Sequence, residues 1–199
     1  MIKKNILWIV IGGLLLVTGF NGCSSYNGLV DSEVEVDKSW ADVESQYQRR
    51  YDLIGNLVNT VKGAADFEKS TLTEITNARA KVGSMTMTAE ALKDPVAMKN
   101  FMQAQSQMSG ALSRLLVVAE QYPNLKANQN FLELQAQLEG TENRIQTARV
   151  DYNAAVGLYN KKVKRFPGKL WASIFGFDPR EMFNSEEAAA KPREVEFNF

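Results

Sequence analysis

Histidine is absent from this chain of 199 residues, and there is a single cysteine. The first absence removes the Ser-His-Asp and Cys-His arrangements and the usual near-neutral proton shuttle. It also removes the Glu-x-x-His ligands of di-iron bundles and the common zinc sites. The lone Cys23 cannot close an intramolecular disulfide. Net charge is missing too: 23 basic side chains face 23 acidic ones. A near-neutral chain has no broad basic face for nucleic acid. The sequence therefore reads as non-enzymatic, with no cofactor and no metal. A hydrolase working on carboxylates alone is the remote alternative.

What is present begins with an apolar run. Lys3 and Lys4 precede it, and Ile6–Phe20 is interrupted only by Gly12, Gly13, Thr18 and Gly19. As a helix the run is roughly 22 Å long. That is short for a comfortable membrane span, and it also suits the apolar part of a signal peptide. Phe20-Asn21-Gly22-Cys23 resembles a bacterial lipobox, with a small residue before the cysteine. Two anchors are thus open: a retained helix, or a lipid on Cys23. Basic residues lie before the run, and none follows it until Lys38. The positive-inside rule puts the remainder of the chain on the extracytoplasmic, periplasmic side of a bacterial envelope.

Beyond the anchor, helical spacing recurs in four segments. In the first, about 30–64, Val36, Trp40, Val43, Tyr47, Tyr51, Ile54, Val58 and Val61 step by three and four. The second spans about 66–82, with Asp66 as a candidate cap. A polar connection with a short turn near Ala89–Leu92 leads to the third, which begins at Pro95 behind Asp94 and stops at Tyr122-Pro123. The fourth, about 128–165, carries Phe131, Leu138, Ile145, Ala148, Tyr152, Tyr159, Val163 and Phe166 on one stripe and stops at Pro167-Gly168. Short connections predict an all-α, antiparallel up-and-down four-helix bundle with long first and fourth helices, behind an amino-terminal membrane anchor. The expected division is anchor 1–25, bundle 26–183 and flexible tail 184–199.

Several of these residues fall in recognisable groups. They include Tyr26-Asn27-Gly28-Leu29-Val30, Gln48-Arg49-Arg50-Tyr51-Asp52-Leu53-Ile54, Asn77-Ala78-Arg79 and Tyr122-Pro123-Asn124-Leu125-Lys126. The densest is Leu138-Glu139-Gly140-Thr141-Glu142-Asn143-Arg144-Ile145, followed by Ala148-Arg149 and Tyr152-Asn153. Together they resemble the LemA family over Tyr26 to Phe183. The resemblance implies a helical bundle behind a membrane segment, no established catalytic residue and no known activity. Some family members are assigned a cytoplasmic domain, opposite to the side the flanking charges favour here. Gly55 stands where the family usually has proline, and glycine loosens a helix without imposing the bend that proline would.

The polar members of these groups are the candidate site. Arg50, Arg79, Glu142 and Arg149 read first as a buried or rim polar layer that fixes helix register. The sharper alternative is a ligand or partner groove. Glu142 and Arg149 are seven apart and share a face. The expected function is a structural or protein-interaction module, using the bilayer and a protein partner or a second copy of itself. Arg49, Asp52 and Asn59 on the first helix are its candidate surface. A lipid or small-molecule sensor is the alternative. The aromatic segment Leu170–Phe177 is expected to fold back on the end of the bundle, with a membrane-facing role as the second reading. The terminal Phe197–Phe199 suits strand addition to a PDZ-type groove as a minor reading.

Overall fold

The computed structural model describes residues 2–63 and 67–184, with side chains from residue 22 onward within those ranges. All regular structure among the described residues is helical. Helix α1 spans Ile2–Lys62, 61 residues in one piece, or about 90 Å. Helix α2 is Lys69–Gly83, and a short 3-10 turn follows at Ala91–Lys93. Helix α3 is Pro95–Ala119, α4 is Pro123–Lys126, α5 is Gln129–Lys164 and α6 is Gly168–Phe175.

The ends follow the local chemistry. Asp94 accepts the Val96 amide at 2.8 Å, ahead of Pro95 in the first turn of α3. Asn128 accepts the Phe131 amide at 3.2 Å and starts α5. Glu68, not Asp66, stands at the start of α2; Asp66 lies outside the described residues. The third segment stops at Ala119, three residues early, because the pre-proline Tyr122 is extended.

The largest departure is at the other end. Asn21, Gly22, Ser24 and Ser25 break the apolar pattern, yet α1 runs through them without interruption. Residues 2–25 and 26–62 form one rod. Among the described residues, no helix is long and apolar enough to cross a membrane. The expected run Ile6–Phe20 falls almost wholly on positions whose side chains lie outside that description.

Helices α1 and α5 pair in opposite directions: Gly28 meets Lys162, Trp40 meets Tyr152 and Arg50 meets Glu142. Helices α2 and α3 also run oppositely, with Lys81 on Gln107 and Glu74 on Arg114. Side chains of α1 reach α3 through Trp40 and Tyr47 on Phe101. The expected stripes are the core. Val36, Val43, Ile54, Val61, Tyr152 and Tyr159 are fully buried. Tyr51 is only half-buried, and Phe166 is 86% exposed; α5 ends at Lys164, so Phe166 leaves the stripe.

The core is in two parts. One holds Trp40, Tyr47, Phe101, Tyr152 and Phe183 and is rich in aromatics. The other is mainly aliphatic, around Leu57, Val61, Ile75, Leu115 and Leu138. Edge-on ring contacts with centroids 5.2–5.8 Å apart tie Trp40 and Tyr47 to Phe101 and Trp40 to Tyr152 in the first part.

Candidate functional site

A polar layer separates the two parts of the core. On α1, Arg50 falls between Tyr47 of the aromatic part and Leu53 of the aliphatic part. On α3, Gln105 falls between Phe101 and Met108. On α5, Thr141 and Glu142 fall between Leu138 and Ile145. The Arg50 guanidinium joins all three helices. It donates to Glu142 at 2.8 Å, to the Ser109 hydroxyl at 3.0 Å and to the Gln105 carbonyl oxygen at 2.5 Å. Its plane also lies over the Tyr47 ring, 5.0 Å from the centroid.

Burial is unequal across the pair. The Arg50 side chain is 3% exposed and that of Glu142 is 58% exposed. The carboxylate remains hydrated while the guanidinium is not, so the layer has a wet edge. Arg50 Nε has no protein partner. A groove of about 350 Å³ opens here, lined by Arg50, Ser109, Glu142 and Arg149 among others. Arg149 has its guanidinium 4.8 Å from the Phe183 ring centroid.

Arg79 does not join this group, which corrects the expected set. It projects from α2 onto another side of α1, where its guanidinium sits 3.9 Å from the Tyr51 ring centroid. Its Nε donates to the Tyr51 carbonyl at 3.2 Å. Tyr51 and Gly55 are four apart and share a face that Arg50 does not. Gly55 makes the approach possible: a Cβ there would lie 3.0 Å from Arg79 Nη2. The glycine in place of the family's usual proline leaves α1 unbroken and admits an arginine from the neighbouring helix.

The other sequence candidates are dispersed. Arg49, Asp52 and Asn59 are exposed on α1. Glu139 is exposed and accepts from Gln135 at 3.4 Å, one turn away. Cys23 is exposed in the helical continuation of α1. Residues 185–199, with the Phe197–Phe199 motif, lie outside the described residues.

Sequence reasoning missed the second buried arginine. Arg180 lies on the segment after α6, which crosses α5 without regular structure. It is 4% exposed. It donates to the Ala89 carbonyl at 2.6 Å and to Glu33 at 2.8 Å. The segment itself is clamped. Asn160 accepts from the Arg180 amide at 2.9 Å and donates to its carbonyl at 2.8 Å. Asn153 does the same to Phe183, at 2.8 and 2.9 Å. Tyr152 donates to the Glu181 carbonyl at 3.0 Å, and Tyr159 to that of Asp178 at 2.9 Å. The signal was visible: Tyr-Asn occurs at 152–153 and again at 159–160, seven apart on one face of α5.

Burial pushes the Tyr159 phenol up to about 12, with the Glu33 carboxylate adding to the shift and Arg180 opposing it. Burial raises the Tyr152 phenol further still, again against Arg180. Both hydroxyls stay protonated, as donors to carbonyl oxygens must.

The LemA family model matches residues 39–197, a span that holds Arg50, Arg79, Glu142, Arg149 and Arg180. The chain belongs to the LemA family. It is similar to the magnetosome proteins MamQ 1 and MamQ 2 of Paramagnetospirillum magneticum, 30% identical to each over 84% of this chain and 67% of theirs. Magnetosome protein MamQ of Magnetospirillum gryphiswaldense is 27% identical over the same shares.

Proposed function

We propose that this protein is a membrane-anchored, non-enzymatic scaffold or interaction module of a bacterial envelope. Residues 1–25 are its anchor, and residues 26–183 are an up-and-down body of four main helices on the extracytoplasmic side. The observation that carries this reading is the continuity of α1 from Ile2 to Lys62. An apolar run on the same rod as the body transmits position from a bilayer without a linker. The magnetosome relatives support a place at a membrane compartment. The Arg50 layer supports a structural role, since its members bind one another across three helices. Lys3 and Lys4 ahead of the run support the orientation.

Partners follow from the shape. The protein meets the lipid bilayer through its amino-terminal segment. It meets a protein partner or a second copy along the exposed face of α1, at Arg49, Asp52 and Asn59. A small-molecule sensor is the second reading, and the groove beside Arg50 is its observation.

Carbonate extraction of membranes, followed by protease treatment of spheroplasts, tests the assignment. The protein is expected to stay in the pellet, and the body to be digested from outside. Release by carbonate removes the anchor, and a protected body reverses the orientation. Mass spectrometry of the amino-terminal peptide separates the anchors: an intact Met1–Lys38 segment means a retained helix, and an acylated amino-terminal Cys23 means a lipid.

A further inference from the structure

Helix α6 packs against α1 at the point where the apolar run ends. The Trp171 ring lies on Gly22, so close that a Cβ on Gly22 would be 2.9 Å from it. Gly22 is two residues past Phe20, about 3 Å along the helix axis. Tyr26, one turn on, meets Phe175 edge-on with centroids 4.8 Å apart, and Phe177 at 5.8 Å. The end of the body nearest the anchor is thus closed by an aromatic cap.

That cap keeps a large apolar face uncovered. Phe166 is 86% exposed, Ile174 60%, Leu170 52% and Phe175 46%. Leu170 and Ile174 are four apart and lie on one side of α6. Between Gly157 and Phe177 there are five basic residues, Lys161, Lys162, Lys164, Arg165 and Lys169, and no acid. Beside the face, a cleft of about 490 Å³ runs between Leu29 of α1 and Leu158, Phe166 and Pro167, with Lys161, Lys162 and Arg165 also lining it.

We infer that α6 and the α5–α6 turn form a second membrane contact, which seats the anchored end of the body on an anionic lipid surface. This rests on the reading that Ile6–Phe20 lies in the bilayer. With the run inserted, Gly22 and Tyr26 stand at headgroup depth, and α6 must stand there with them. Trp171, Phe175 and Phe166 suit that depth, where aromatic rings concentrate. An apolar helix face ringed by lysine and arginine is the pattern of helices that lie in the interface. The basic cluster selects the lipid, because each cation near the surface favours anionic headgroups over neutral ones by about fivefold. The two contacts together fix the tilt of α1, which a single span leaves free.

The test uses the full chain with benzoylphenylalanine placed at one site at a time: position 12, 117 or 174. Each protein is reconstituted in phosphatidylcholine vesicles, with or without phosphatidylglycerol, and irradiated, and lipid adducts are quantified by mass spectrometry. Position 12 probes the anchor, and Val117, exposed on α3, is the reference remote from the bilayer. Expected are strong adducts at 12, adducts at 174 several-fold above those at 117, and a further rise at 174 with phosphatidylglycerol. Changing Lys161, Lys164 and Lys169 together to Gln should remove that rise while leaving position 12 unaltered. Adducts at 12 with 174 no higher than 117 overturn the second contact and leave the anchor standing. Equal adducts at 174 in both vesicle types overturn the assignment to anionic lipid. Failure at 12 removes the anchor reading and this one with it. Crosslinking of 174 to a protein in intact cells, with no lipid adduct in vesicles, gives the face to a protein partner and overturns the proposal.

Discussion

Arg50 and Arg180 are both buried, and both keep an Nε without a protein partner, but they are held in different ways. Arg50 stands in the middle of a helix and binds side chains only, from α3 and α5. Its carboxylate partner is mostly hydrated. Arg180 stands on a segment with no helix or strand to support it, and it binds a backbone carbonyl of the α2–α3 connection as well as Glu33. Glu33 is the less exposed acid, at 29%, with Asp37 a further 3.9 Å contact. The first arginine links α1, α3 and α5 through side chains alone. The second ties the terminal segment to α1 and to the α2–α3 connection, beside the Lys93–Asp178 ion pair, the Glu181–Leu92 backbone bond and the Trp40–Phe183 stack. A guanidinium can set register or close a fold, and its partners decide which.

That contrast orders the expected effects of mutation. Arg180→Met should be the most damaging, by about 2–3 kcal/mol, because Glu33 and the Ala89 carbonyl lose their buried donor at once. Thermal unfolding in detergent would measure it, and limited proteolysis should show early cleavage within 177–184. A loss below that of Arg50→Met would invert the comparison. Asn153→Ala and Asn160→Ala should each cost about 1–2 kcal/mol, since each loses a paired donor and acceptor on the clamped segment. Proteolysis after either change should begin in that segment and not in α1. Glu142→Gln should cost about 1 kcal/mol: the amide keeps an acceptor for Arg50, but the buried guanidinium loses its counter-charge.

The smallest effect at ordinary pH is the sharpest in alkali. Tyr152 and Tyr159 have raised folded-state pKa values, so their neutral forms contribute stability that is complete below the unfolded value near 10. That contribution should fall as pH rises from about 10 through about 12. Tyr159→Phe should flatten the alkaline loss while leaving the slope between pH 6 and 9 unchanged. An equal alkaline loss in that variant would mean that other groups cause it.

The helices were legible because their signal is periodic. Val36, Val43, Ile54 and Val61 were placed inward from spacing alone, and they are buried. Arg50 and Glu142 were legible because polar residues interrupt those stripes at matching heights. Arg79 was misplaced for a geometric reason. Sequence puts it on a helix, but only packing decides which side of α1 that helix covers. Arg180 was beyond pattern analysis, as an irregular segment has no period to read. The repeated Tyr-Asn on α5 was the available clue, and it points to the groups clamped rather than to the arginine among them. The continuity of α1 through Asn21–Ser25 was hidden by small polar residues that look like a boundary. A helix supported on one side by Trp171 tolerates them.

An Arg50 layer built for the fold must lose stability when it is broken. The direct measurement is a double-mutant cycle on the full chain in detergent, with Arg50→Met, Glu142→Met and both together, read by thermal unfolding. Arg50→Met should cost about 2 kcal/mol, since it leaves the buried Gln105 carbonyl without its donor. Glu142→Met should cost at least as much, since it strands the buried guanidinium without its counter-charge, and the double variant should match Arg50→Met alone. An Arg50→Met protein as stable as the parent, or more stable, would contradict the account and mark the groove as a site kept for a ligand.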